Sequence, residues 1–260
     1  MNNHFFLLHA ITNLHVGSGD TIGIVDKTVQ RDHITQRPII HGSSLKGALR
    51  EFCQLKIFDA LDTVFGKMDD ETQKTVPGYF NFFSAHLVSM PFRSDRRPYF
   101  NATCPDAITE LIDLAERLDI ALPQKDALKQ FADSNPGDSE AIVFERSANG
   151  GSLENLTIRT VDSIAGLDLI GPFPSLVSDK SFSDICKCGL PVIPRNRLES
   201  GESANLWYEE VVPRESRFIF GLIAEDANDA SFRTCVEGGL VQIGGNASVG
   251  YGFTKIRQLV

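Results

Sequence analysis

Stretches of strand character and of helical character follow one another irregularly along this chain, and that irregular order narrows its fold more than any other feature. Residues 4–12 are rich in Phe and Leu and alternate loosely, which reads as a buried opening strand. Arg217–Ala224 (Arg-Phe-Ile-Phe-Gly-Leu-Ile-Ala) is the clearest strand in the chain. Between them a helix is predicted to open at Ser43 or Ser44 as N-cap. Leu45, Ala48, Leu49 and Phe52 recur there at helical spacing, with Arg50 and Glu51 outside the stripe. Pro105 suits the first turn of a second helix carrying Ile108, Leu111, Ile112, Ala115 and Leu118. Asn81–Pro91 and Leu153–Thr160 read as extended, and Phe182–Cys186 as the end of a short helix. Residues 132–139, and Gly17 to about Pro38, read as loops. A doubly wound parallel sheet needs regular strand–helix alternation, so the α+β class is expected. No repeat of fixed period is visible.

At 260 residues and 42% hydrophobic content the chain can bury a full core, as one large domain or two small ones. Its net charge of −9 argues against a nucleic-acid binder on total charge alone. The acid is concentrated, however: residues 106–165 hold twelve acidic and five basic residues, which leaves the rest of the chain near −2. Local basic faces are therefore available outside that stretch, and a polyanion responds to the local field. The acidic stretch is expected to face outward or toward a protein neighbour. The N-terminus lacks a basic n-region, and His4, His9 and His15 punctuate its apolar run, so neither a signal peptide nor a membrane span is expected. Five cysteines without framework spacing point to free thiols in a reducing cytosol. Cys186-x-Cys188 resembles half a zinc site, but no second ligand pair stands at a recognisable spacing.

Two glycine loops invite functional readings. Gly17-Ser18-Gly19-Asp20-Thr21-Ile22-Gly23 is not a dinucleotide fingerprint, because the third glycine comes one residue late and no helix follows directly. Gly42-Ser43-Ser44-Leu45-Lys46-Gly47 is not a Walker loop, since Lys46 precedes its glycine and lacks the following Ser or Thr. It does open a helix, whose free N–H groups and dipole attract anions, and Lys46 and Arg50 share a face. The alternative is an ordinary capped helix with a solvated basic face. Gly244-Gly245-Asn246-Ala247-Ser248-Val249-Gly250-Tyr251-Gly252 permits close backbone approach to a ligand, or simply turns a hairpin corner. Asp26, a loop carboxylate eleven residues after His15, is either solvated or able to hold a metal or orient a proton transfer. Arg195-Asn196-Arg197 with Leu206-Trp207-Tyr208-Glu209-Glu210 suits stacking on unpaired bases, or forms an exposed hairpin.

Taken together these segments resemble one family. The stretches are Leu14–Gly19, Gly23–Asp26, Gln30–Asp32 and Pro38–Arg50; then Phe65-Gly66, Pro91–Ser94 and Thr103–Pro105; then Arg195–Arg197, Leu206–Glu210, Val212-Pro213 and Gly244–Gly252. They are similar to the RAMP superfamily of CRISPR effector proteins, and more narrowly to the backbone nuclease subunits of type III-B (Cmr) complexes. Lys27-Thr28-Val29 departs from that pattern, which usually has Leu-Pro-Ile after the aspartate. The resemblance implies a single domain over residues 1–260 with a modified ferredoxin-like (RRM-like) palm. It also implies a β-hairpin thumb at about 194–213 and an acidic, partly helical insertion at about 106–165. It implies copies stacked along a guide RNA with other Cmr subunits, cytoplasmic and without a membrane. Each copy would cut complementary single-stranded target RNA at regular intervals, through metal-dependent (Mg²⁺ or another divalent ion) attack by a 2′-OH that leaves a cyclic phosphate. Asp26 would be the cleavage residue and metal ligand, with His15, Tyr208, Glu209 and Glu210 assisting. Ser43, Ser44, Lys46, Arg50, Arg195, Arg197, Trp207, Gly244, Gly245, Gly250 and Gly252 would contact RNA. Two other readings stay open: a non-catalytic guide-RNA scaffold of the same superfamily, and an unrelated cytosolic α+β hydrolase or small-ligand protein.

Overall fold

The computed structural model describes residues 1–20, 25–69, 74–144 and 150–260; Gly23 and Ile24, and Glu145 of the acidic stretch, lie outside the described residues. The opening strand runs Asn2–Ala10. Its period-two alternation sends Phe6, Leu8 and Ala10 into one apolar cluster and Phe5 and Leu7 into another, so both faces are covered. Each Phe or Leu among them contributes about 1.5–3 kcal/mol on burial, which makes this strand the spine of the molecule. It pairs antiparallel with Arg217–Ala224 on one side and Phe253–Gln258 on the other. Arg217–Ala224 pairs in turn with Ala85–Phe92.

With the first helix, Gly42–Leu55, and the helix Asp226–Val236, these four strands trace β-α-β-β-α-β in chain order. In space they stand second–third–first–fourth, the ferredoxin-like arrangement. Both helices lie on one sheet face, where Leu45, Leu49 and Cys53 meet Phe232 and Val236 in a shared cluster. Phe100–Thr103, Pro174–Val177, Glu140–Phe144 and Leu156–Val161 continue the sheet beyond Ala85–Phe92. The helices Pro105–Arg117 and Lys125–Ala132 cover the opposite face, packing Ile108, Leu111, Leu128 and Phe131 against Phe5, Leu7 and Ile219. The outcome is an α+β molecule of three layers. The acidic side chains of Asp106, Asp113 and Glu116 are exposed on the outer side of that second helical layer.

Two expectations change. Gly17 to Pro38 is not a loop throughout, because Gly17–Asp20 pairs antiparallel with Lys27–Val29; these strands are too short and too polar to show a period of two. The first helix begins at Gly42 with His41 at the N-cap position, and no side chain caps it. Neither Ser43 nor Ser44 serves as N-cap because both lie inside the helix, as its second and third residues. Gly42 donates to Ser84 Oγ at 3.1 Å and His41 N–H donates to Gln30 Oε1 at 2.9 Å. Glycine is required at 42, where a Cβ would lie 2.6 Å from the Phe82 carbonyl oxygen.

All five cysteines are free, and Cys186 is buried while Cys188 is exposed, so the pair does not converge. Burial pushes the Cys186 thiol up to about 12. No helix among the described residues is long and apolar enough to cross a membrane.

Candidate nucleic-acid interface

A long hairpin leaves the sheet, built from Val192–Glu199 and Glu202–Glu210. Ser200 and Gly201 turn it with φ of +53° and +89°, both positive as a two-residue type I′ connection requires. Its second strand pairs in parallel with Lys27–Val29 at Glu209↔Lys27, forming a four-stranded sheet with Gly17–Asp20. That register sets Asp26 beside Tyr208, whose backbone N–H donates to Asp26 Oδ2 at 2.8 Å. Asp26 is exposed, and Tyr208 is 41% exposed.

The two glutamates at the hairpin root are buried and occupied. Glu209 Oε1 accepts from Trp207 Nε1 at 2.8 Å, and Oε2 accepts from Asn246 Nδ2 at 2.7 Å. Arg195 and Lys27 stand 3.5 Å and 3.9 Å from the same carboxylate. Glu210 pairs with Arg31 at 2.5 Å and accepts the Val29 N–H at 3.1 Å. Charge-assisted bonds of this kind are what make two buried carboxylates tolerable. His15 is buried beside them, its Nδ1 2.7 Å from the Glu210 carbonyl oxygen. A carbonyl only accepts, so Nδ1 carries the proton; this tautomer is assigned from the partner. Nε2 then faces Gly17, where an added Cβ would come within 3.1 Å of it.

The C-terminal glycine loop straps this root. It joins two antiparallel strands, Leu240–Gln242 and Phe253–Gln258, so it does turn a hairpin corner. It also lies against residues 13–16: Gly245 N–H donates to the His15 carbonyl at 2.9 Å and Gly252 N–H to the Asn13 carbonyl at 2.9 Å. Gly244 has φ +88°, and a Cβ there would lie 2.4 Å from the His15 oxygen. Gly252 has φ +83°, with its Cβ 2.3 Å from the Ile243 oxygen. Gly250 also has positive φ but faces open space. Tyr251 lies beneath Arg195, ring centroid to guanidinium 5.7 Å.

The first helix docks its N-terminus on the same region through Gln30, whose amide nitrogen donates to Ser44 Oγ at 3.1 Å. Ser43 is exposed and Lys46 half-buried. The N–H groups of the first turn lie outside the helical ladder, as at any helix start. Arg50 turns the other way, donating to the Gly66 carbonyl at 2.6 Å and facing Asp62 at 3.6 Å. Trp207 is half-buried, with the Lys27 ammonium 5.6 Å from its ring centroid. Arg197 lies near the hairpin tip, paired with Glu199 at 2.6 Å.

Thus the structure brings together Asp26, His15, Tyr208, Glu209, Glu210, Arg195, Trp207 and the glycine loop, with Ser43, Ser44 and Lys46 nearby. It leaves Arg50 and Arg197 outside that cluster. Arg31 and Asn246 complete the root although sequence reasoning assigned them no role. Their partners are 179 and 37 residues away, a relation that spacing does not display. Among the described residues no three His, Cys, Asp or Glu side chains converge as a metal cage. An exposed carboxylate such as Asp26 is a kind of ligand that Mg²⁺ takes together with water and substrate oxygens.

A βαββαβ palm with a projecting hairpin and a glycine-strapped root defines a class. The RAMP superfamily pattern matches residues 7–255, and the chain belongs to that superfamily. It is similar to the CRISPR system Cmr endoribonuclease Cmr4 of Pyrococcus furiosus, 27% identical over 96% of this chain and 93% of the relative. It is also similar to the CRISPR system CMR subunit Cmr4 of Saccharolobus solfataricus, 23% identical over 98% and 96%. Among solved structures, a chain of the type III-B Cmr-beta complex bound to cognate target RNA matches with TM-score 0.83 at 22% identity, covering 100% of this chain and 98% of that one.

Proposed function

We propose that this chain is a cytoplasmic backbone subunit of a type III-B CRISPR ribonucleoprotein. It binds guide RNA alongside further copies of itself and other Cmr subunits, and it cuts complementary target RNA at regular intervals. The observation that carries this reading is the exposed Asp26 carboxylate, held to the hairpin root by the Tyr208 N–H. The name of the Pyrococcus relative supports the activity, and the match to a target-bound complex supports the ligand.

In the proposed reaction the 2′-oxygen of a target nucleotide attacks the adjacent phosphorus. The P–O5′ bond breaks, the 2′ proton passes to a base, the 5′-oxygen gains a proton, and a 2′,3′-cyclic phosphate remains. Asp26 orients or accepts the 2′ proton, and the Tyr208 N–H fixes the direction of its carboxylate. His15 presents Nε2 as the basic nitrogen, because the Glu210 carbonyl holds the proton on Nδ1. Glu209 is a positioning residue whose carboxylate holds Trp207 and Asn246 in place. A divalent ion on Asp26 would supply charge stabilisation at the phosphate, its shell completed by the RNA. Ser43, Ser44 and Lys46 at the first helix, with the glycine loop, contact the guide backbone, which is read by shape while base pairing reads sequence.

The test is cleavage of a labelled RNA complementary to the guide by the reconstituted complex, with Mg²⁺ and then with EDTA. Asp26→Asn is expected to lower the rate by about 10²–10⁴-fold while guide and target binding persist. Unchanged stepped cleavage in that variant would remove Asp26 from the chemistry. Intact target with normal binding in the parent complex would make the chain a scaffold.

A further inference from the structure

A second cationic surface lies on the other side of the sheet from the first helix. His9 stands directly opposite Arg217 on one neighbouring strand and Lys255 on the other, so three basic side chains form one row across the sheet. Arg257 stands opposite Leu7, one step along the same face. Leu7 and Ile219 belong to the cluster beneath the acidic helices, which fixes the face. With Asp168 and Glu237 these residues line an open cavity of about 350 Å³.

Arg217, Lys255 and Arg257 put like charge on this one face, which calls for counter-charge. The protein supplies part of it. His9 Nε2 meets Glu215 at 2.9 Å, and Arg217 Nη1 donates to the Asp168 carbonyl oxygen at 3.3 Å. Glu237 accepts the Gln258 N–H at 2.6 Å. Arg217 Nε remains buried without a partner, and neither Lys255 nor Arg257 forms an ion pair among the described residues. Burial, and then the charge of Arg257, hold the Arg217 guanidinium below its ordinary value while Glu215 and Asp168 oppose them.

We propose that this cavity is a phosphate-binding site, with Arg217 at its floor and Lys255 and Arg257 at its rim. A planar guanidinium and two further cations suit a group with several anionic oxygens. The phosphate comes from an RNA backbone or from a free phosphate. The RNA source rests on the function proposed above. It is favoured by continuity, since Lys255 follows Gly252 of the glycine loop by three residues along one strand. A single strand crossing that loop meets the strand bearing both cations.

The purified full chain is titrated with inorganic pyrophosphate by calorimetry and with labelled single-stranded RNA by anisotropy over a range of salt. The parent is compared with Lys255→Ala/Arg257→Ala, whose side chains are exposed and whose fold is checked by circular dichroism. For a backbone phosphate, the slope of log affinity against log salt becomes shallower by about 0.7 for each phosphate no longer neutralised, hence by about 1.4 for the pair. Pyrophosphate binding that disappears in the variant while the RNA slope holds identifies a free phosphate as the ligand. If neither titration differs between parent and variant, the site is overturned. Because the pyrophosphate arm needs no RNA, it reads this site independently of the function proposed above, whose own failure shows as intact target in the assembled complex.

Discussion

The root of the hairpin and its outer half share two strands and obey opposite rules. At the root, Glu209 and Glu210 are 2% and 7% exposed, and their carboxylates are held by Asn246 and Arg31 from distant parts of the chain. In the outer half, Asn196–Ser203 is exposed throughout, and the ion pair Arg197–Glu199 joins residues of one strand, with side chains 68% and 60% exposed. Ion pairs that exposed contribute little, whereas removing one partner of a buried pair leaves a charge without solvent. The root is therefore a fixed joint that holds Asp26 in register with Tyr208. The outer half is a probe whose worth lies in shape and reach.

The sharpest way to break that contrast is Glu210→Ala. It strands Arg31 at 17% exposure and removes the acceptor for Val29, so a loss of about 3–5 kcal/mol in urea unfolding is expected. A loss below about 1 kcal/mol would show that the root is not the joint described. Gly244→Ala comes next. A Cβ 2.4 Å from the His15 oxygen at φ +88° should cost about 1–3 kcal/mol, measured the same way. Gly250→Ala has a similar φ but open space, so it should cost less than Gly244→Ala. Equal losses would assign the effect to backbone conformation rather than to the strapping of His15.

These two regions also differ in how far the sequence reveals them. The opening strand and Arg217–Ala224 are legible because they are apolar on both faces. Lys27–Val29 and Gly17–Asp20 are not, since short polar strands have no period to read. The helix Asp226–Val236 escapes for a related reason: Phe232 and Val236 are its fully buried apolar anchors, too few for a stripe. At the site, Asp26, His15, Glu209, Glu210 and the glycine loop stand out as residue types. What the chain does not display is which carboxylate is exposed and which is buried. That depends on Trp207, Asn246, Arg31 and Val29 arriving at the root together, and on Arg50 turning toward Gly66. Tertiary context decides such matters, and local pattern does not carry it.

A third carboxylate calibrates the comparison through pH. Glu110, on the helix Pro105–Arg117, accepts a hydrogen bond from His86 Nδ1 at 3.1 Å and pairs with Arg37. The bond from His86 and the charge of Arg37 outweigh burial and hold its carboxyl below the usual range. A depressed folded value means that the stabilisation is complete above the unfolded carboxylate range and is lost as pH falls through the folded value. Urea midpoints measured from about pH 7 down to about pH 3 should show a steeper acid limb in the parent than in Glu110→Gln. Identical limbs would mean that the contact contributes nothing to folding.

The smallest expected effect on stability lies at the outer half and is the most informative about its purpose. Leu206 is 54% exposed and Leu198 63%, on a hairpin with no core of its own. Leu206→Ser should change unfolding free energy by no more than about 0.5 kcal/mol, as exposed substitutions do. If the outer half is a wedge that enters a guide–target duplex, the same substitution weakens target cleavage in the assembled complex, because an apolar side chain no longer replaces a stacked base. Cleavage rate and product spacing, measured beside the unfolding curve, separate the two roles. A fall in cleavage without a fall in stability assigns Leu206 to recognition. Parallel falls in both would place Leu206 in the fold, and no change in either would confine the hairpin's function to its root.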